Sequence, residues 1–502
     1  MSQPASSADP VVDAVVIGGG IAGLSAAYAL TLAGLSPLVV EERGTPGGLI
    51  AGVNLDNLSF DIGAESFAAS ATRVSDLCEE LGLPVIAPSG GSWVYSHDAG
   101  ATPIPHGMLG IPASLDDPAV TGTLTPAELT RAREDLTMGP DAGAECEDLA
   151  SFVSARLGEA VLAKIVGPVA GGIHSADPAR LAVDTVCRGL RQALAEIGSV
   201  TAAVARLRGA APGAPAVSAP RGGMFQLPRA LASAITEQGG HIATHVRALS
   251  LTRAPDEQWM VDLARTASAR NPADPPVTTG AAVRVRTPRV VLALPVAAGL
   301  ALLQSVDGID VHGWQPTPGG PIGHVSLVVR APELDDGPRG SGMLVRAPSA
   351  AEIAAGCVRA KALTHYSYKW GWMREDHPDV HVLRVSYGRT GEDPVELTPE
   401  RARADAQALL GVELPPTAIE HALVVRWDGA LPPLGPDHWE RVRSLTADVA
   451  ARCPGLLVAG SWIAGSGIAS VVPHALDGGR ELAASGPASR GPALDVVTEA
   501  QR

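Results

Sequence analysis

The segment that most restricts how this chain can fold lies just inside its N-terminus. Ala14-Val15-Val16-Ile17 is a short apolar run, Gly18-Gly19-Gly20-Ile21-Ala22-Gly23 follows directly, and an Ala/Leu-rich stretch continues to Leu32. The next apolar run, Pro37-Leu38-Val39-Val40, ends on Glu41. This reads as a strand, a glycine turn, a helix and a second strand with an acid at its tip. Gly18 turns the chain tightly, Gly20 lets the backbone approach a pyrophosphate, and Gly23 lets the helix pack close to the strand. The helix start, with Gly19, Ile21 and Ala22 around it, offers free N–H groups and a partial positive charge to phosphates, and Glu41 accepts from a ribose hydroxyl. A glycine triplet alone is a weak signal. With both strands and the acid at this spacing, it predicts dinucleotide binding by an α/β, Rossmann-like, doubly wound sheet.

Which dinucleotide is indicated downstream. Glu42-Arg43-Gly44-Thr45-Pro46-Gly47-Gly48-Leu49-Ile50 is followed by Phe60-Asp61-Ile62-Gly63-Ala64-Glu65-Ser66-Phe67. A second glycine pair close behind the acid resembles the extended FAD signature of the flavin amine oxidase superfamily. There the loop covers the ADP half of FAD, and the Asp-x-Gly-Ala segment runs along the isoalloxazine. The resemblance implies FAD rather than NAD. It nominates Glu42, Arg43, Gly47, Gly48, Leu49, Gly63, Ala64, Glu65 and Ser66 as cofactor-binding residues. Thr45 stands where the superfamily carries Arg, with Arg43 as the nearby cation.

A chain of 502 residues is long enough for two or more domains with full cores. Its formal charge of -15, with no basic run, argues against nucleic acid as a partner. Cys78, Cys146, Cys187, Cys357 and Cys453 are scattered without metal-ligand spacing and read as small apolar residues in a reducing compartment. The dispersed histidines suggest no metal site. The polar N-terminal stretch lacks a basic n-region, and no segment reaches the length of a membrane span. The expectation is a cytoplasmic protein with at most peripheral membrane contact.

Two segments look like insertions into the nucleotide-binding core. The expected FAD-binding domain is discontinuous, over 10–92, 221–295 and 424–485. A helical insertion is expected over 93–220, with helices at Leu149 to Val166 and around Leu181 to Leu207. A mixed-sheet substrate domain roofing the flavin is expected over 296–423, its strands at His324 to Val329, Gly356 to Tyr368 and His381 to Tyr387. The core resumes at Arg221-Gly222-Gly223-Met224 with a helix over Arg229 to Ile235. A strand-like run over His241 to Leu251 contains Val246, another cofactor-binding candidate. Arg289 to Leu294 reads as a buried strand. Gly455 to Gly460 reads as the last core strand and leads to Gly465-Ser466-Gly467-Ile468 and a helix. Gly460, Ser466, Gly467 and Ile468 are placed by analogy near the pyrimidine edge of the flavin, where a helix N-terminus stabilises the anionic reduced form. Residues 486–502 lack periodicity and read as a disordered tail.

Together these motifs resemble the bacterial FAD-dependent porphyrinogen oxidases, over roughly Asp13 to Ala484. Gly63-Ala64-Glu65-Ser66-Phe67 is similar to their G-x-[ED]-S-F. Ile104 to Pro112 is similar to L-P-x-G-x-x-G-I-P, and Pro168 to Pro178 to P-x-x-x-G-x-Y-x-x-D-P. Gly340 to Val345, Lys369-Trp370 and Arg426-Trp427 with Ala430-Leu431-Pro432 match three further family steps. His174 replaces the usual Tyr, and Gly465-Ser466-Gly467-Ile468-Ala469 replaces Tyr-x-Gly-x-Gly-Ile-Pro.

The resemblance implies oxidation of coproporphyrinogen III to coproporphyrin III in haem biosynthesis. Six electrons would leave through three flavin cycles, with O2 as acceptor and H2O2 released. Alternatives are protoporphyrinogen IX oxidation, a flavin amine oxidase, and a non-catalytic porphyrin-binding flavoprotein. The amine oxidase reading suits the sequence less well, since no aromatic stands at the matching C-terminal positions. Ferrochelatase, the next haem-pathway enzyme, is an implied partner. Pyrrole N–H protons can leave to solvent or by tautomerisation, so no general base is assigned. Four propionates need cationic or hydrogen-bonding partners, and Arg359, Lys361, Tyr366 and Lys369 are the pocket candidates, with His365 beside them and His174 on its loop. Trp427 is expected to pack against the flavin.

Overall fold

Ala14–Ile17, Pro37–Glu41 and Val290–Leu292 are buried along their whole lengths. Strands covered on both faces have no solvated side on which to place polar residues, which suits a parallel sheet. The computed structural model describes residues 9–98, 100–174, 177–208, 215–268, 275–317, 319–389, 392–427, 430, 436–465 and 467–485. The chain divides into two compact units, one of residues 1–86, 216–318 and 431–502, the other of residues 87–215 and 319–430.

In the first unit five strands run parallel in the order His241–Thr244, Pro37–Glu41, Ala14–Ile17, Val290–Leu292, Leu456–Val458. The first strand in sequence is central. The second strand pairs on one side of it and Val290–Leu292 on the other, so strand order reverses at the C-terminal end of Ala14–Ile17. In doubly wound sheets a ligand crevice opens at such a point. Helix Ile21–Leu32 packs along the terminal helix Ile468–Ala484, whose Gly479 leaves no room for a Cβ: Ala26 O would lie 2.8 Å away and Ala29 Cβ 2.9 Å. An antiparallel sheet of Val246–Arg253, Trp259–Ala267 and Val277–Thr287 completes the unit's main strands.

The second unit is built on a seven-stranded sheet in the order Ile419–Arg426, Gly323–Val329, His381–Tyr387, Ala362–His365, Gly342–Val345, Ser92–Ser96, Gly100–Pro103. All neighbours are antiparallel except Gly342–Val345 with Ser92–Ser96. A helical cluster with its own core, including Phe152, Val153, Ile165, Leu190 and Val204, belongs to the same unit.

The structure departs from the sequence expectation in several places. Residues 93–220 are not a separate helical insertion, because Ser92–Ser96 and Gly100–Pro103 are strands of the mixed sheet. Helix Val296–Leu303 belongs to the first unit, where Leu300 and Leu303 enter the core around Trp259 and Leu292. The 149–166 helix stops at Leu157 because Gly158 sits at φ +90°, and it resumes as a short helix and a π turn over Leu162–Val166. The run from His241 to Leu251 splits into two strands at His245, which has φ +57°. Of Gly356 to Tyr368 only Ala362–His365 is strand, followed by a helical turn over Tyr366–Lys369. The expected tail lies outside the described residues.

Within the helical cluster Arg156 and Asp135 are fully buried and paired, with Nε donating to Oδ1 at 2.7 Å. Asp135 also accepts from Ser199 Oγ at 2.8 Å and Val200 N at 2.9 Å, so its oxygens are well supplied with donors. Removing one partner of a buried pair leaves an uncompensated charge. Asp135→Asn should therefore lower stability by about 3–5 kcal/mol, measured by urea unfolding. A loss below about 1 kcal/mol would mean Arg156 finds water or another acceptor.

Candidate functional site

The glycine turn closes against three neighbours. A Cβ on Gly18, at φ +103°, would meet Ala293 O at 2.5 Å, and one on Gly23 would meet Gly18 O at 1.9 Å. Gly20 is different: a Cβ there would meet nothing within 4 Å. Gly20 is also the N-cap of helix Ile21–Leu32, with no side-chain cap and no acid in the first turn. The N–H groups of Ile21, Ala22 and Gly23 thus start a helix with open space before them, an anion site by construction. The terminal helix begins in the same way. Its N-cap Gly467 has no capping side chain, and a Cβ on it would again meet nothing within 4 Å. Helices starting at Pro126, Leu149 and Pro399 are instead capped by Thr125, Asp148 and Thr398.

Glu41 is buried at the tip of its strand. Its Oε2 accepts from Gly19 N and its Oε1 from Arg43 N, both at 2.9 Å. Burial holds its carboxyl above the usual glutamate range, against the opposing pull of the two N–H donors. Each oxygen retains a lone pair for a ribose hydroxyl. The Glu42 carboxylate is taken by Arg247 Nε at 2.8 Å, so Glu42 braces the loop against the Val246–Arg253 strand. The Arg43 carbonyl accepts from His245 N at 3.1 Å, which brings Val246 beside that loop, and Arg43 is exposed.

The second glycine pair returns to the first turn. Gly47 N donates to Gly19 O at 2.8 Å, and a Cβ on Gly48 would lie 3.3 Å from Gly20 Cα. Ala64 N donates to Leu49 O at 2.9 Å, so Gly63, Ala64 and the half-buried Glu65 and Ser66 follow directly. Asp61 accepts from Met224 N and Phe225 N, both at 2.9 Å, pinning the Gly222-Gly223 turn. Gly460, at φ +129°, caps the short helix Ser461–Ala464. Ser466 lies outside the described residues. Trp427 belongs to the other unit, where its N–H donates to Ile322 O at 2.7 Å.

The substrate candidates all lie in the second unit. Arg359 and Lys361 are not on a strand but in the irregular segment before Ala362, which bends at Lys361 and is held by Ala360 N donating to Asp405 Oδ2 at 3.2 Å. Lys361 is 8% exposed, and burial, together with Arg389 and Arg384, pushes its ammonium down to about 8. Tyr366 is fully buried and meets Trp372 edge-on. Lys369 lies over the Trp370 ring at 5.1 Å. His174 ends helix Gly167–His174.

His365 points elsewhere. It shares the strand face of Leu363, toward the apolar core, and pairs with His381 at 3.1 Å, which pairs with Asp335 at 3.1 Å. A carboxylate accepts, so His381 Nε2 donates to Asp335 and His365 Nε2 donates to His381 Nδ1. Burial above all pushes His365 down to about 3, so the ring stays neutral. The pair is part of the core.

The profile of the family described as flavin containing amine oxidoreductase matches residues 21–485. The chain belongs to that family. It is 28% identical over 478 residues to the coproporphyrinogen III oxidase of Mycobacterium tuberculosis, covering 91% of this chain and 94% of that one. The Mycobacterium leprae protein of the same name is 27% identical, over 92% of this chain and 96% of its own. Among solved structures, a protein from Exiguobacterium sp. 255-15 provisionally described as a protoporphyrinogen oxidase superposes with a TM-score of 0.76 at 22% identity, covering 95% of this chain and all of that one. Reduced UDP-galactopyranose mutase reaches a TM-score of 0.64 at 14% identity, over 94% and 95% of the two chains.

As a member of this family the chain is an FAD-dependent oxidoreductase. The residues present fit that cofactor: two glycine-capped helix starts with clear space, and a buried carboxylate beside the first. Sequence reading missed the brace by Arg247, which an Arg at strand start beside a predicted acid could have suggested. It also missed the polar strand face carrying Arg384. No helix among the described residues is long and apolar enough to cross a membrane.

Two outcomes follow. Glu41→Ala removes the buried carboxylate expected to accept from the ribose and strands Gly19 N–H, and should weaken FAD binding by about 1–3 kcal/mol in a titration of the apoprotein; unchanged affinity would place the ribose elsewhere. A lysine with a lowered folded pKa costs stability while both states are protonated. That penalty is full below pH about 8 and fades as pH rises toward the ordinary lysine value. Lys361→Met should therefore raise stability at pH 7 by about 1–3 kcal/mol, and the gain should shrink above pH 8 in thermal melts across pH. A destabilised variant would mean the ammonium is fully compensated in the fold.

Proposed function

We propose that this flavoenzyme oxidises coproporphyrinogen III to coproporphyrin III in the cytoplasm, with O2 as acceptor and H2O2 released. The relatives named for that activity span nearly the whole chain and agree with this reading. The observation that carries it is this agreement over nearly the whole chain, joined by the gathering of Lys361, Arg389 and Arg384 with the Glu392 carboxylate in the second unit. An excess of cations suits an anionic ligand, and a four-propionate tetrapyrrole is one.

FAD, when bound, supplies the two-electron acceptor chemistry. The glycine turn and the N–H groups of Ile21 to Gly23 hold the pyrophosphate, and Glu41 holds the ribose. The Gly467-capped helix start favours negative charge near it. Lys361, with Arg359 beside it, orients the substrate by its carboxylates, which is positioning rather than bond chemistry. Pyrrole protons leave to water or by tautomerisation.

The test is a comparison of two substrates. Wild-type protein should show a higher kcat/KM for coproporphyrinogen III than for protoporphyrinogen IX, which carries two fewer carboxylates. Arg359→Ala with Lys361→Ala should raise KM for the first substrate more than for the second, with flavin content intact. A preference for protoporphyrinogen, or equal loss of both activities, would overturn the four-carboxylate assignment.

A further inference from the structure

Side chains alternate across the seven-stranded sheet of the second unit. On one face Val325, Leu327, Leu383, Val385, Leu363 and Met343 form an apolar core with helix Pro399–Leu410. The opposite face carries His324 and Ser326 on one strand, Arg384 and Ser386 on the next, and Thr364 on the third. This face also carries Val328, Val382, Ala362 and Leu344, so its polar groups form a patch within an otherwise apolar surface, and in that patch Ser326 is 1% exposed and His324 4%.

One cross-strand row stands out. Ser326 lies directly opposite Arg384, and Arg384 directly opposite Thr364. The guanidinium is thus flanked by a hydroxyl on each neighbouring strand. The Ser326 hydroxyl is buried and has no hydrogen-bond partner in the protein. A buried hydroxyl left unsatisfied is costly, so it marks a place where a further group belongs. Helix Gly167–His174 lies over the same face, since a Cβ on Gly172 would meet Leu344 Cδ2 at 2.9 Å, and Leu344 shares the face of Ala362 and Ser386. The sequence motif around His174 therefore borders the polar face.

We propose that Arg384, flanked by Ser326 and Thr364, is a specificity-determining subsite that receives one propionate carboxylate of the substrate. This rests on the porphyrinogen oxidase reading and deepens it. Arginine offers two parallel N–H donors that match a carboxylate, and the two hydroxyls donate to its remaining lone pairs. Nothing covalent changes at this subsite; it positions the ring.

The experiment uses the FAD-loaded full chain. Wild type, Arg384→Gln and Arg384→Lys are compared for turnover of coproporphyrinogen III and for binding of coproporphyrin III and its tetramethyl ester by fluorescence. Arg384→Gln should raise KM and the coproporphyrin Kd about tenfold. It should change kcat by less than about threefold and leave ester binding unmoved. The lysine variant should recover part of the loss. To separate binding from folding, Thr364→Val and Ser326→Ala are measured beside Arg384→Gln, and each should raise KM about two- to fivefold with unchanged melting and flavin content. If wild type turns over coproporphyrinogen but KM and Kd are unmoved in Thr364→Val and Ser326→Ala, or in a folded Arg384→Gln, the subsite is overturned and the activity stands. If wild type oxidises neither porphyrinogen, the activity itself is wrong and the subsite falls with it.

Discussion

Everything in the nucleotide-binding unit depends on how closely the first helix approaches the first strand. That approach exists because Gly23 has no Cβ, since one would lie 1.9 Å from Gly18 O. The same closeness brings the helix start to the end of a central strand whose neighbour, through Ala293, permits only glycine at Gly18. With the turn fixed, Gly19 N–H meets Glu41, the Gly47-Gly48 loop docks on Gly19 and Gly20, and the Gly63-Ala64 segment docks on Leu49. Each contact presupposes the one before it. The clear space in front of Gly20 is left over by this arrangement.

The second unit keeps polar groups close to its core. Its sheet stands with one largely apolar face on helix Pro399–Leu410 and carries Arg384 and several hydroxyls on the other. Lys361 shows the tension most plainly, because a buried ammonium under the influence of two arginines costs folding free energy at neutral pH. The Arg156–Asp135 pair, fully buried and rich in hydrogen bonds, is the contrasting structural use of charge.

The glycine turn was legible in the sequence because glycine positions carry steric information: where a Cβ cannot fit, only glycine remains. Glu41 was legible from its distance behind the turn. Arg359 and Lys361 were read as lying on a strand, whereas they precede the strand, Lys361 in a bend, and the chain beside them is held by Asp405. Pattern could not reveal that, since a residue before a strand reads like one inside it. Arg384 was passed over because His381-Val-Leu-Arg-Val-Ser-Tyr alternates as any half-solvated strand does. Only tertiary structure sets Arg384, on that half-buried side, opposite the buried Ser326. The joining of Ser92–Ser96 to strands some 250 residues later was equally unreadable, because a pairing across that separation leaves no local trace.

The central claim is that an FAD-dependent oxidase fold here carries a porphyrinogen, and electron balance tests it most directly. Purified holoenzyme given coproporphyrinogen III in air should form coproporphyrin III with three H2O2 per porphyrin, and under argon its flavin should bleach and stall until O2 is readmitted. Flavin that stays oxidised under argon in the presence of coproporphyrinogen, with no porphyrin formed above the uncatalysed rate in air, would contradict it.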